Sequence, residues 1–524
     1  MCAAASMASA CRLPGTTREL EFDVLLRRGL VVDGSGASAR RADVGLVGDR
    51  IAAIGSFAAQ RARLEVDCSA LVVAPGFIDV HAHSNLLAFP GAESKRFQGV
   101  TLDVVGPDGG SAFPSEDDEE LSRLSAWRER HAQDSHAIHV ASYIGHGAIR
   151  RRVLGREQRA PKADELARMR EIVRQSMHDG AVGLSSGLEY SPDGFATTEE
   201  VVALAEVGAE FGAVYATHVR NEDSEVLRAA EEAIEIARRA GCPLLLTHLK
   251  AAGEPNWPQL EQIVERVEAA RAAGVEVWAD RYPYLAYSTG LDLFFPGWSH
   301  ADGQLGARAA DASQRAAMRA ETEEKVRANG GWESLQLVGD LAPAFADLLG
   351  SRLPEAADER ATTPYELACD LIASESPPAL VGYGMSASNL ERVLRLPWCM
   401  IASDGAGEPA GARPMSHPRS FGTFPRVLGT YVREQGLLGL EEAVHKMTAL
   451  PARVMGFPDR GKLVVGARAD LTLFDPERIR DRATYLEPRR YAEGVEWVFV
   501  SGQPVLARGA LTEARPGRVV LRNA

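Results

Sequence analysis

The chain lacks any run of about 18 consecutive apolar residues, so nothing in it reads as a membrane-spanning helix. It is poor in cysteine: Cys2, Cys11, Cys68, Cys242, Cys369 and Cys399 are scattered over 524 residues without a framework spacing or a Cys-x-x-Cys pair. That pattern suits reduced thiols in a cytosol rather than a disulfide scaffold. It also lacks a basic surplus. Lys and Arg number 58 against 72 Asp and Glu, a net charge of −14, which argues against nucleic acid as a partner. An anionic substrate would have to be met by a local cluster of Lys or Arg. No short-period repeat is present.

What is present is the composition of a globular, enzyme-sized protein, 45% hydrophobic and 25% charged. The length exceeds one ordinary core and predicts a large domain with a smaller one. Residues 1–20, Ala-rich around Cys11, lack a charged n-region and a proper apolar h-region. They read as a disordered leader of a cytoplasmic protein; the alternative is the remnant of an export signal with a misplaced start.

Both ends are strand-rich. Phe22–Leu26, Ala42–Ile54, Leu463–Val465, Ala469–Phe474, Val495–Ser501 and Gln503–Leu506 alternate with Gly and Asp turns. The expectation is one β-sandwich built from 21–73 and 445–524. Between them, apolar runs alternate with amphipathic helical segments. The runs are the one before His81, then Gly99–Val105, Ala137–Ser142, Gly180–Leu184, Ala213–Thr217, Cys242–Thr247, Val275–Asp280 and Trp398–Ser403. Eight strands with intervening helices over 74–444 predict an α/β fold, a (β/α)8 TIM-like barrel. The Ala/Glu/Arg-rich stretch from about 290 to 378 reads as a helical insertion between barrel strands 7 and 8.

In such a barrel the chemistry sits at the C-terminal strand ends. The first strand runs Ala74-Pro-Gly-Phe-Ile-Asp-Val-His-Ala-His83, and side chains at i and i+2 share one side of a strand, so His81 and His83 project together. Strand 5 ends at His218, strand 6 at His248 and strand 8 at Asp404. Four imidazoles and a carboxylate at strand ends make a metal site that can activate water.

These residues sit in motifs that resemble the D-aminoacylase (N-acyl-D-amino-acid deacylase) family of the amidohydrolase superfamily, over about residues 22–520. Besides the strand-1 motif they are Gly145-His-Gly-Ala-Ile-Arg150, Ser185-Ser-Gly-Leu-Glu-Tyr190, Thr217-His-Val-Arg-Asn-Glu222, Thr247-His-Leu-Lys250 and Asp280-Arg-Tyr-Pro-Tyr284. Ser403-Asp-Gly405, His417-Pro-Arg-Ser-Phe-Gly-Thr-Phe-Pro-Arg426 and Asp459-Arg-Gly-Lys462 complete the set. The resemblance implies a tighter zinc on His218, His248 and a cysteine after strand 2, and a weaker second divalent metal on His81, His83 and Asp404. Where the family has Gly-Asn-Cys-Gly, this chain reads Gly106-Pro-Asp-Gly109. Asp108 thus takes the cysteine's place, as a harder ligand or as a turn residue.

The resemblance further implies hydrolysis of N-acyl-D-amino acids to a carboxylate and a free D-amino acid. Metal-activated water would attack, with Asp404 as general base and then acid. The substrate is a small molecule with a free carboxylate, held by Lys250, Arg419, Tyr282 and Ser288, with Arg suited to bidentate binding. Tyr190 would hydrogen-bond the scissile carbonyl and Arg220 would pair with Glu222. Glu189 reads as a partner behind the ligands, with metal ligation as its alternative, and His146 as loop architecture or pocket lining rather than a ligand. Two alternatives stand beside this reading. Cyclic-amide hydrolases resembling hydantoinase and dihydroorotase share the fold, but use a carbamylated lysine after strand 4, and the segment from Gly180 to Tyr190 has no lysine. A non-catalytic interaction module would typically have lost ligands, and all four histidines and Asp404 are present.

Overall fold

The computed structural model describes residues 21–374, 377–412 and 415–523; the expected leader, 1–20, lies outside the described residues. The two ends of the chain form one nine-stranded sheet. Its N-terminal strands are Phe22–Val31, Arg40–Val47, Arg50–Gly55, Ala62–Asp67 and Val72–Pro75, and its C-terminal strands Leu471–Phe474, Val495–Val500, Gln503–Ala507 and Ala510–Leu511. The halves join where Val72–Pro75 pairs antiparallel with Leu471–Phe474. Alternation along these strands divides their side chains between two cores. Val73, Leu471, Leu473, Trp497 and Phe499 enter a cluster with Val24, Leu26, Val44 and Ile51. Val72, Phe474, Val498 and Val500 face the other way, into the cluster that holds Phe77 and Val100. The run Ala42–Ile54 holds two strands that turn at Gly48-Asp49, where Gly48 takes φ +55°. Leu463–Val465 forms no strand.

The middle of the chain is an α/β fold of TIM-barrel type. Strands Phe77–Ala82, Val100–Val105 and His139–Ser142 form one parallel arc. Ile144–Gly145, Gly183–Gly187, Val214–His218, Leu244–Leu246, Val277–Arg281 and Cys399–Ile401 form a second. The arcs touch at both ends. Val182 N–H donates to Ser142 O at 3.0 Å, and Ala82 makes a parallel bridge to Gly405.

Helices Ala163–His178, Thr198–Ala209, Val226–Ala240 and Gln259–Ala272 pack outside the second arc. Val226–Ala240 shows why. Val226, Ala229, Ala230, Ala233, Ile236, Ala237 and Ala240 are buried at helical spacing on one face. Arg238 and Arg239 suit the negative end of the dipole, and Gly241 at φ +69° closes the helix with a bond to Ala237 O.

The insertion is helical only in part. Leu305–Ala310, Ala312–Ala328, Leu353–Glu359 and Pro364–Ala373 are helices, but Tyr287–Gly290, Ala379–Gly382 and Leu335–Val338 form an antiparallel sheet. Four-residue strands are too short to show a period against the Ala/Glu/Arg-rich background. The insertion has its own apolar cluster, anchored on the barrel through Tyr282 and Tyr284. Among the described residues, Cys68, Cys242, Cys369 and Cys399 are free and buried, and no helix is long and apolar enough to cross a membrane.

Candidate metal centre and substrate pocket

All six residues expected as ligands converge at the C-terminal ends of the parallel strands. His81 and His83 face the same way: their Nε2 atoms lie 3.4 and 3.0 Å from Asp404 Oδ1. The register comes from the Ala82–Gly405 bridge, and from Asp79, which accepts from the N–H groups of His81 and Ser403 and from buried Lys95 Nζ at 2.5 Å. His218 is the last residue of its strand, and His248 follows Leu244–Leu246 by two. Their rings meet with His218 Nδ1 3.0 Å from His248 Nε2. Asp108 lies between the two halves, with Oδ2 3.1 Å from His81 Nε2 and Oδ1 3.7 Å from His248 Nε2.

Asp108, His248 and Asp404 have φ of +50°, +37° and +51°. That left-handed region disfavours residues other than glycine, although Asp and His tolerate it better than most. Strain gathered at three converging side chains marks a functional site.

The outer nitrogens of the inner histidines are held by carboxylates. His218 Nε2 lies 3.0 Å from Glu189, and His248 Nδ1 lies 3.0 Å from Glu222. Lys250 Nζ also lies 2.9 Å from His248 Nδ1. The facing His218 Nδ1 and His248 Nε2, 3.0 Å apart, lie within reach of one ion together with Asp108. Lys250 pairs with Glu222, Lys325 with Glu189 and Arg419 with Asp404, while Asp108 faces the imidazoles of His81 and His248. Donor groups His81/His83/Asp108/Asp404, Asp108/His218/His248 and Glu189/His218/Glu222 each lie within 4.8 Å. This nitrogen-and-oxygen set fits a divalent ion.

The ion pairs set the charge states. Burial alone would raise Asp404, but Arg419, which donates to its Oδ2 at 2.7 Å, and His81 hold it well below the usual carboxylate range. Burial likewise opposes ionisation of Glu189, and Lys325 with His218 overcomes it. Both groups remain anions.

A cavity of about 370 Å³ opens over the cluster. Lys250, Arg419, Tyr282, Ser288 and Tyr190 all line it, as expected from sequence. Arg419 stacks over the Tyr282 ring at 5.0 Å and approaches Ser288 O at 3.5 Å. Tyr282 Oη is buried and has no hydrogen-bond partner among the described residues. The Tyr190 ring packs 4.5 Å from that of His218, with its hydroxyl 3.4 Å from Thr289.

One expected contact is different. Arg220 pairs with Glu232 at 2.8 Å, not with Glu222, which instead binds Lys250 at 2.5 Å and His248. The reason is geometric. Arg220 lies toward the helix that carries Glu232, while Glu222 turns under the histidines. Lys325, which reaches Glu189 at 2.9 Å from the insertion, and Asp280, which holds the His248 N–H at 2.8 Å, were not among the expected residues. Asp280 at a strand end was a readable signal; Lys325 in an amphipathic helix gave none.

His146 is buried behind the centre at 2.8 Å from Glu200, with Asp193 at 3.4 Å on its other side. Burial lowers its affinity for a proton, but Asp193 and Glu200 outweigh this and raise its pKa from 6.5 to about 9. A raised folded-state pKa stabilises fully below the unfolded value, and the gain is lost as pH rises through the folded one. Unfolding free energy from urea melts is therefore expected to decline between pH 6.5 and about 9, and His146→Gln to flatten that decline. An unchanged slope in the variant would assign the decline elsewhere.

The chain matches the model of the amidohydrolase family over residues 64–348 and 376–506. It is 36% identical over 519 residues to a D-aminoacylase of Alcaligenes xylosoxydans xylosoxydans, covering 96% of this chain and 98% of that one. An N-acyl-D-glutamate deacylase of the same organism is 35% identical, with 96% and 97% covered. The crystal structure of N-acyl-D-glutamate deacylase from Bordetella bronchiseptica, with zinc and a phosphonate mimic of the tetrahedral intermediate, superimposes with a TM-score of 0.83. It shares 33% identity and covers 96% of this chain and 100% of that one. The chain belongs to the amidohydrolase family, within its D-aminoacylase group.

Proposed function

We propose that this protein hydrolyses the amide bond of N-acyl-D-amino acids, releasing a carboxylate and a free D-amino acid. The observation that carries the reading is the juxtaposition, in one cavity, of the histidine–carboxylate cluster with a cation set suited to a free carboxylate. Relatives named D-aminoacylase and N-acyl-D-glutamate deacylase at about full length support it. The two strand arcs are read as a closed (β/α)8 barrel, 74–444, with the insertion at about 290–378. The terminal sheet, 21–73 with 445–524, is read as a sandwich-like domain folded around its own core.

His218, His248 and Asp108 would hold one divalent ion, and His81, His83, Asp108 and Asp404 a second; zinc is the ion in the Bordetella relative. When bound, such an ion lowers the pKa of water toward about 7 and polarises a carbonyl oxygen. The chain's own groups do the rest. Arg419 binds the substrate carboxylate with Lys250, Tyr282 and Ser288 around it. Arg419 moves its hydrogen bond from Asp404 Oδ2 to the substrate, leaving that oxygen free. Asp404 takes a proton from the attacking water and returns it to the nitrogen as the C–N bond breaks. Tyr190 donates to the scissile carbonyl oxygen. Glu189 and Glu222 hold the orientation of the His218 and His248 rings.

Chelation is the direct test. Dialysis against a chelator is expected to abolish turnover of an N-acetyl-D-amino acid, and added Zn²⁺ or Co²⁺ to restore it. Full activity in demonstrably metal-free protein would overturn the reading. Glu189→Gln is expected to weaken metal binding about 10–100-fold, measured by chelator competition. Unchanged affinity would remove Glu189 from the orienting role.

A further inference from the structure

Asp108 differs from a thiolate at the same place in having two donor atoms. We propose that Asp108 uses one oxygen for each of the two metal positions, and that this bridging carboxylate shifts the centre toward oxygen-preferring ions such as Mn²⁺ and makes retention of the second ion depend on Asp108. The inference rests on the metal-centre reading above.

The geometry separates the two oxygens. Oδ2 faces the strand-1 histidines, 3.1 Å from His81 Nε2 and 3.7 Å from His83 Nε2. Oδ1 faces the opposite pair, 3.7 Å from His248 Nε2 and 3.3 Å from Thr247 Oγ1. Among the described residues, Asp108 is accordingly the side chain shared by the donor groups built on His81/His83 and on His218/His248. The carboxylate is also held there by scaffold. Ser185 Oγ donates to Gly106 O at 2.6 Å and accepts from Gly109 N–H at 3.3 Å, and Ala148 N–H donates to Gly109 O at 3.1 Å. Gly109, at φ +74°, packs so close to the Asp193 carboxylate that a Cβ there would collide with it. A hard carboxylate favours Mn²⁺-type ions relative to zinc, whereas a soft thiolate favours zinc. Preorganised donors also need no rearrangement on loading.

The test uses the full chain, stripped of metal and titrated with Zn²⁺ and Mn²⁺ separately, with stoichiometry by elemental analysis and affinity by calorimetry. Asp108→Cys and Asp108→Asn are compared with the unsubstituted protein. Asn tolerates the left-handed backbone at this position, and circular dichroism verifies that both variants fold. Two ions per chain are expected in the unsubstituted protein and one in Asp108→Asn. Asp108→Cys is expected to raise the preference for Zn²⁺ over Mn²⁺ about tenfold or more. With Co²⁺ it should also gain a thiolate-to-cobalt charge-transfer band that the unsubstituted protein lacks. A single ion in the unsubstituted protein, or unaltered stoichiometry and Zn²⁺/Mn²⁺ preference in both variants, would overturn the bridging role while leaving the metal centre standing. Failure of the unsubstituted protein to bind any ion would overturn both.

Discussion

Asp404→Asn is expected to lower kcat on an N-acetyl-D-amino acid by about 10²–10⁴-fold, the range for loss of a positioned proton-transfer group. Asn preserves the left-handed backbone at φ +51° and one oxygen toward the strand-1 histidines, so the fold is expected to remain. It removes the proton acceptor. KM should change much less than kcat, because the group acts on the reacting atoms and not on the substrate carboxylate. The position is prepared for the role from several sides. Asp404 N–H donates to His81 O at 2.9 Å, and Asp79 holds the preceding Ser403 N–H at 2.9 Å. Arg419 masks one oxygen in the substrate-free state at 2.7 Å. Steady-state kinetics with metal content measured on the same samples separate loss of the base from loss of an ion. Activity within a few-fold of the unsubstituted protein would remove Asp404 from proton transfer.

Arg419→Ala is expected to lower kcat/KM for N-acyl-D-amino acids by about 10²–10³-fold, equivalent to about 3–4 kcal/mol. The guanidinium is buried, stacked on Tyr282 and paired with Asp404. Its removal costs the substrate carboxylate its partner. The distinguishing comparison is a substrate whose carboxylate has been converted to an amide. The unsubstituted protein should discriminate strongly against it, and the variant should lose most of that discrimination. Arg419→Lys should recover only part of the loss, since an ammonium cannot reproduce the planar fork. Equal discrimination in both proteins would place carboxylate recognition elsewhere.

Much of this site was legible in the sequence, and for physical reasons. His-x-His at a strand end forces two rings to one side, as the shared approach of His81 and His83 to Asp404 shows. His218 and His248 follow short apolar runs that alternate with helices, a pattern that survives in a single sequence because buried parallel strands are apolar on both faces. What escaped was what depends on distant packing. The strand expected at Gly180–Leu184 lies at Gly183–Gly187, displaced toward two serines whose hydroxyls satisfy Gly106, Tyr215 and Thr217. Polar strand residues with buried partners do not announce themselves. Arg220 and Glu222 are separated by two positions and were expected to pair, yet they diverge to Glu232 and to Lys250. Lys325 reaches Glu189 across 136 positions, from a helix whose sequence alone is that of an ordinary exposed one.

The most direct measurement is a side-by-side assay of the metal-loaded protein with N-acetyl-D-amino acids, their L-enantiomers and hydantoins. The account predicts turnover of the linear D-compounds, with one carboxylate and one free D-amino acid released per bond cleaved. Turnover confined to the L-compounds or to the cyclic amides would contradict it.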